Sequence, residues 1–248
     1  MKLIVNGSNG RMGKEMVKLC LEGCRGSSLA AAVDINVPRT AEYPTYTSLD
    51  DITADADCIV DFSHHSVTKD LVGFAVSRGL PVVIATTGHT EEELKLIETA
   101  SKTVPVFMSA NMSLGVALLV ELAKTAAKTM PDADIEIIEQ HHNRKLDAPS
   151  GTALLIANAI KSVRENVEFV FGRNGQRRRE KGEIGIHAVR AGNIVGTHEV
   201  IVCTDSQTIT LKHEAHSRSL FAEGAVAAAE FICDKPAGMF NMNDIVNA

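Results

Sequence analysis

Over the first 110 residues, short apolar runs alternate with stretches whose apolar residues recur at helical spacing. Lys2 to Val5 reads as a short apolar run (Leu3, Ile4, Val5) ending in Asn-Gly, which predicts a buried strand meeting a turn. Residues 11–22 carry Met12, Met16, Leu19 and Cys20 on one side, the spacing of a helix. Residues 29–33 are apolar and close on Asp34. The order is strand, glycine-rich turn, helix, strand, acid. It continues with strands at 58–61, 81–86 and 104–109. Helices are predicted over 67–77 and from Thr90, where Glu93 completes a capping-box pattern. Strands separated by helices of about a dozen residues predict an α/β fold with a parallel, doubly wound sheet.

After Asn111 the texture changes. Residues 113–130 read as a long apolar helix, 135–139 as a strand and 150–163 as a helix. A polar loop, FGRNGQRRREKGEIG, follows. Strand-like runs at 184–189, 197–203 and 208–214 are separated by turns at Ala191-Gly192-Asn193 and Asp205-Ser206, which predicts an antiparallel meander. Residues 217–233 form an Ala-rich helix, and 239–246 match no template. The second region therefore reads as an α+β domain placed after the first.

Composition narrows the function. The chain has 248 residues and is 45% hydrophobic, enough for two modest domains with real cores. No run of about 18 apolar residues predicts a membrane span. The start, MKLIVNGSNG, lacks a signal-peptide apolar region. Trp is absent and the net charge is −6, which argues against base-stacking platforms and general polyanion binding; no nucleic-acid partner is expected. The five cysteines are odd in number, scattered and without a CxxC pair. Cys20 and Cys24 are expected one turn apart on a helix, as reduced packing residues in a cytoplasmic compartment.

The turn Gly7-Ser8-Asn9-Gly10-Arg11-Met12-Gly13 is a GxxGxxG that follows a strand, opens a helix and is answered by Asp34 at the next strand end. That is a dinucleotide-binding arrangement: glycines admit a pyrophosphate close to the backbone, and the helix start offers N–H groups and a positive dipole end. A ligand-free glycine turn is the competing reading. Asp34 accepts from ribose hydroxyls and repels a 2′-phosphate, which favours NADH. Arg39, five residues on, keeps NADPH as an alternative. Ala85-Thr86-Thr87-Gly88 and Ser109-Ala110-Asn111-Met112 end later strands, on the edge where such a ligand lies, and are further cofactor candidates.

The stretch EQHHNRKLDAPSGTA, residues 139–153, carries the chemistry. His141 and His142 supply imidazoles that exchange protons near neutral pH. Lys145 adds a full positive charge. Ser150-Gly151-Thr152 open a helix whose first N–H groups suit a carboxylate. Together they fit a substrate with one or two carboxylates. Three other readings compete. The histidines as metal ligands lack a third His or Cys at suitable spacing, so no metal is expected. They also fit plain loop histidines. Ser150 with Asp147 and a His suggests a hydrolase, but Ser150 lies in no GxSxG elbow and reads better as a helix N-cap.

GSNGRMG, Asp61-Phe62-Ser63, ATTG, SANMSLGV, EQHHNRKLDAPSGTA, IHAVRAGNIVGTHEV and HEAHSRSLFAEGAVAAA together resemble the dihydrodipicolinate reductase family over almost the whole chain. These are the 4-hydroxy-tetrahydrodipicolinate reductases of lysine and diaminopimelate biosynthesis. Ala85 stands where the family usually has Gly. Met112 stands where it usually has Phe, a packing change on the nicotinamide side. The resemblance implies a Rossmann-type domain at 1–111 plus 217–248, and a mixed-sheet substrate and oligomerisation domain at 112–216. It implies NADH- or NADPH-dependent reduction of a cyclic dicarboxylate: water is lost, hydride enters the ring at C4 and a proton is delivered to C3. His141 would be the proton donor/acceptor. Lys145 would be a second donor that also holds a carboxylate. His142 would contact substrate, and Gly151 and Thr152 would bind a carboxylate through backbone N–H groups. Domain closure and a homotetramer built on the second domain's sheet are implied as well.

Four features stay outside this reading. Arg177 to Arg179 read as a solvated loop. His213 and His216 read as a strand end before a helix cap at Ser217. His64 and His65 are expected at a cleft entrance without a role. Residues 239–246 remain uninterpreted.

Overall fold

The computed structural model describes residues 1–36 and 42–248; Arg39 lies outside the described residues. The chain divides into two compact units, Met1–Ser113 with Arg218–Ala248, and Leu114–Ser217.

In the first unit, β1 (Lys2–Asn6), α1 (Arg11–Leu21), β2 (Ser28–Val33), β3 (Thr45–Tyr46), β4 (Cys58–Asp61), α2 (Thr68–Arg78), β5 (Val82–Ile84), α3 (Glu91–Ala100) and β6 (Pro105–Met108) follow in order. In the second, α4 (Leu114–Thr129), β7 (Asp134–His141), α5 (Gly151–Lys161), β8 (Glu168–Phe171), β9 (Glu183–Arg190), β10 (Gly196–Cys203) and β11 (Thr208–Ala215) follow. The chain then returns to the first unit with α6 (Ser219–Ile232), β12 (Gly238–Phe240) and α7 (Met242–Val246).

The first sheet runs β12-β6-β5-β4-β1-β2-β3, every pairing parallel. Its central strands are continuous apolar runs because both faces are covered. Leu3, Ile4 and Val5 are all fully buried, as are Ile59 and Val60 and the run from Val82 to Ile84. Ile4, Ile59, Val82 and Ile84 pack with Leu71, Phe74 and Ile97 from α2 and α3. α6 packs on β4, β5 and β6 and against α1. The alanines of α6 bring its backbone close, and Gly224 makes the closest approach: a Cβ there would overlap the Met112 carbonyl oxygen. Thr90 caps α3 with both halves of the expected box in place, Glu93 N donating to its Oγ1 at 3.2 Å and its own N donating to Glu93 Oε2 at 2.7 Å. Residues 239–246, short and interrupted, supply β12, which pairs with β6, and the capped helix α7.

The second sheet runs β11-β10-β7-β9-β8. This corrects the meander expected from three consecutive runs. β10 and β11 do form an antiparallel hairpin, but β7 lies between β9 and β10, parallel to the first and antiparallel to the second. The short strand β8, parallel to β9, has only four residues, too few for a period to register in the sequence. Ile135, Ile137, Ile184, Ile186, Val200 and Val202 point to the face covered by α4 and α5. Glu139 and His141 continue that same alternation along β7.

Other corrections follow from local chemistry. Cys24 is not on α1: Gly23, in the left-handed region at φ 74°, ends the turn after the helix, and Cys24 opens a short 3₁₀ turn. All five cysteines are free thiols. The N-cap of α6 is Arg218 rather than Ser217. Arg177 and Arg179 are not simply solvated. Arg177 pairs with Glu183, and Arg179, its side chain 18% exposed, pairs with Asp134 and Glu136. Arg173 and Arg177 hold the Glu183 carboxyl down at about 2. Among the described residues no helix is long and apolar enough to cross a membrane.

Two glycines should therefore respond oppositely to an added methyl. Gly224→Ala, which must push the Met112 carbonyl aside, should lower stability by more than about 2 kcal/mol. Gly73→Ala, mid-helix in α2 with nothing near its Cβ position, should raise it by about 0.5–1 kcal/mol. Denaturant unfolding of the two variants beside the parent checks both signs.

Candidate active site

In the first unit the site grows from the C-terminal ends of the parallel strands. β1 ends at Asn6 and the chain turns at Gly7, whose φ of 75° lies in the left-handed region. A Cβ at Gly7 would lie 2.6 Å from the Phe62 carbonyl oxygen, and one at Gly13 would overlap the Gly7 carbonyl. Only glycine lets the turn nest between the β4 loop and the first turn of α1. The Gly7 and Ser8 N–H groups both donate to the Val33 carbonyl, at 2.9 and 3.0 Å. Asp34 then fastens the turn from the next strand. Its Oδ2 accepts from Asn9 N at 3.0 Å, and its Oδ1 from Asn36 N at 2.9 Å.

This cradle borders a cleft of about 560 Å³ lined by Gly7, Asn9, Gly10, Asp34, Phe62 and His64, among others. Arg11 and Met12 open α1 beside it, exposed and half-buried, while Ser8 and Gly13 are buried in the turn. A turn without room for a Cβ, a helix start and an acid at the strand end fit a dinucleotide. His64 lines the cleft as expected. Its Nδ1 accepts from Ser66 N, capping a short turn, whereas His65 faces away to pair with Glu93 at 2.9 Å.

The remaining cofactor candidates lie at the same edge, because β4, β5 and β6 are parallel neighbours of β1. Thr86 spends its hydroxyl on the buried Asp61, at 2.6 Å. Asp61 also accepts from Asn6 at 2.7 Å and from Ser63 Oγ at 2.5 Å. Burial pushes the Asp61 carboxyl up, and the Ser63, Thr86 and Asn6 donors oppose it. The carboxylate thus ties three strand ends together. Ala85 is half-buried and donates its N–H to the Asp61 carbonyl, and Thr87 is exposed. Ser109 donates to the Asn111 carbonyl at 2.8 Å, and Ala110 is exposed. Met112 is 3% exposed, packed under α6 rather than lining the cleft.

In the second unit β7 delivers Glu139 and His141 to one face, two residues apart. His141 Nδ1 is 2.5 Å from Glu139 Oε2. Glu139 is wholly buried, and Arg190 from β9 grips both its oxygens, at 2.7 and 2.8 Å. Ser150 N donates to Glu139 Oε1 at 2.9 Å. Burial pushes the Glu139 carboxyl up, but Arg190, His141 and the Ser150 N–H outweigh it and hold the group below the ordinary range. From β10, His198 meets His141 edge to face, ring centroids 5.2 Å apart. Burial first, then the neighbouring His141, brings the His198 pKa down to about 4, so this imidazole is neutral at physiological pH.

Ser150 is the N-cap of α5: its Oγ accepts from Ala153 N at 3.2 Å and lies 3.2 Å from His198 Nε2. The hydroxyl is buried, Asp147 pairs with Lys145, and His198 Nδ1 has no hydrogen-bond partner among the described residues, so the Asp-His-Ser relay of a hydrolase is not assembled. Gly151 opens the helix with open space around its Cβ position, followed by Thr152. His142 is half-buried in the loop after β7. Lys145 Nζ sits 2.9 Å from Asp147 Oδ1, and this partner holds the Asp147 carboxyl below its usual value. The positive charge of Lys145 is thus paired within its own loop. Among the described residues no group of three or more His, Cys, Asp or Glu is placed to hold a metal.

The structure thus brings His141, Lys145 and the start of α5 together around one loop. Sequence reasoning missed the groups behind them: Glu139, Arg190 and His198. Their signal was present for Glu139, since strand alternation puts positions 139 and 141 on one face. Arg190 and His198 needed the strand order.

Comparison with known proteins gives the site its family. The model for the dihydrodipicolinate reductase N-terminus matches residues 1–112, and that for its C-terminus residues 115–246. The chain is 48% identical over 247 residues to the 4-hydroxy-tetrahydrodipicolinate reductase of Caldanaerobacter subterraneus subsp. tengcongensis, covering 99% of this chain and 98% of that one. It is 42% identical to the enzyme of the same name from Clostridium tetani, covering 100% and 97%. The dipicolinate-bound dihydrodipicolinate reductase from Paenisporosarcina sp. TG-14 superposes with a TM-score of 0.83 at 25% identity, covering 99% of both chains. The chain belongs to the dihydrodipicolinate reductase family, NAD(P)H-dependent oxidoreductases of lysine and diaminopimelate biosynthesis.

Proposed function

We propose that the chain reduces 4-hydroxy-tetrahydrodipicolinate to tetrahydrodipicolinate with loss of water, the second unit holding the dicarboxylate and the first the nicotinamide cofactor. The observation that carries this reading is the loop of residues 141–152, where an oriented imidazole, an ammonium and a helix N-terminus converge.

The cofactor, when bound, supplies the hydride. Gly7, Ser8, Asn9, Gly10, Arg11, Met12 and Gly13 hold its pyrophosphate, and the strand-end residues Ala85 to Thr87 and Ser109 to Asn111 complete its site. Asp34 accepts from the ribose diol with the lone pairs that Asn9 and Asn36 leave, and its charge favours NADH over a 2′-phosphorylated partner. His141 exchanges the proton at the ring carbon through the nitrogen that Glu139 does not hold. His142 contacts the ring. The start of α5 at Gly151 and Thr152 receives one carboxylate. Lys145 receives the other and acts as a second proton donor. Its pair with Asp147 is with a carboxylate 57% exposed, a kind of contact worth about 0–1 kcal/mol. A doubly anionic ring can displace it.

The sheet face opposite α4 and α5 carries half-buried Ile138 and Ile201 and exposed Val189, which supports a homotetramer built there. The free thiols are in keeping with a reducing cytoplasm.

His141→Ala and Lys145→Ala should each lower kcat/KM by about 10²–10⁴-fold, while NADH affinity stays within about twofold. The assay couples synthase-generated substrate to nicotinamide absorbance; a parent-like rate for either variant refutes the assignment. Asp34→Ala should weaken NADH more than NADPH, read as a ratio of dissociation constants because the substitution also loosens the turn. Equal losses would remove Asp34 from cofactor choice. Sedimentation equilibrium of the parent should return four times the chain mass.

A further inference from the structure

We propose that Glu139 is a positioning residue for the reaction: its buried carboxylate holds the His141 imidazole with the proton on Nδ1 and presents Nε2 to the substrate. This rests on the reading of His141 as the proton donor and deepens it.

The geometry is specific. Glu139 Oε2 lies 2.5 Å from His141 Nδ1, with Glu139 wholly shielded from water. An ionised carboxylate can only accept hydrogen bonds, so Nδ1 must carry hydrogen. The ionised form persists despite burial because Arg190 grips both oxygens and Ser150 N–H adds a third donor. A protonated Glu139 would free Nδ1 to lose its proton and blur the tautomer.

The groups facing His141 divide cleanly. Arg190 on β9 and Lys145 in the loop are cations, each paired with a carboxylate of its own, Glu139 and Asp147. His198 on β10 is neutral, and His213, its register partner on β11, has its pKa lowered by burial. Among the described residues Glu139 is therefore the one carboxylate in contact with the His141 ring. On the far side Gly196 leaves room. A Cβ there would stand 3.1 Å from His141 Nε2. The ring is thus gripped at Nδ1, and glycine at 196 spares Nε2 the crowding that a side chain there would bring.

A purely structural alternative exists. Arg190 also donates to the Asp147 carbonyl at 2.6 Å, so Glu139 could serve only to hold Arg190 and the loop. Two measurements separate the roles. In the unsubstituted protein labelled with ¹⁵N-histidine, the proposal expects His141 Nδ1 to stay protonated across the titration while Nε2 titrates. A neutral ring protonated at Nε2 instead overturns it, whether or not any variant folds. In Glu139→Gln, kcat should fall about 10–100-fold with the substrate KM within about threefold, and the midpoint of the His141 titration should move down in pH. A variant with the parent rate and an unmoved midpoint overturns the proposal. His141→Gln, run alongside, tells the two readings apart. If it turns over normally, the assignment of His141 fails and the positioning role with it. If it is inactive while Glu139→Gln is normal, only the positioning role fails.

Discussion

The second unit depends on one desolvated carboxylate. Glu139 sits on the helix-covered face of its sheet, where Ile135 and Ile137 precede it in the same row. A charge there is tolerable only because three donors from three segments converge on it: Arg190 from the neighbouring strand, Ser150 N at the helix start and His141 on the same strand. Removing one partner of such a cluster typically costs about 3–5 kcal/mol, because the other charge is left buried and alone. The same cluster fixes the strand edge, the helix N-terminus and the catalytic candidate relative to one another.

The first unit repeats the device with uncharged donors. Asp61 is also buried, but its donors are neutral: Asn6, Ser63 and Thr86. No cation offsets its burial, and its pKa rises while that of Glu139 falls. The cluster around Asp61 ties strand ends beneath the glycine turn. The ionic one stands behind an imidazole. Asp34 is a third case, half-buried and satisfied by backbone N–H groups, which leaves it open toward the cleft.

The legibility of these features in the sequence follows from how local their causes are. The parallel sheet, the glycine turn and the capping box at Thr90 rest on residues within one or two elements, and the apolar runs and spacing disclose them. The N-cap role of Ser150 is equally local. The strand order of the second sheet is not: nothing in the runs at 184–189, 197–203 and 208–214 says that β7 will separate the first two. Short strands such as β8 and β12 carry too few residues for a period to register. Arg177 and Arg179 looked solvated because their carboxylate partners Glu183 and Glu136 come from strands of the sheet. Met112 looked like a cofactor contact by position, while Gly224, more than a hundred residues on, makes it a packing residue.

The central place of β7 has a consequence for how the protein comes into being. Glu139 and Arg190 are 51 residues apart, and Ser150 and His198 are 48 apart. The strand that carries His141 leaves the ribosome well before either flanking strand, and the first sheet gains its last strand only from residues 238–240. Until residue 190 has been made, Glu139 therefore lacks the cation that offsets its burial, and only His141 and the Ser150 N–H are there to meet it. The surroundings of His141 are thus drawn from segments that reach as far as residue 198.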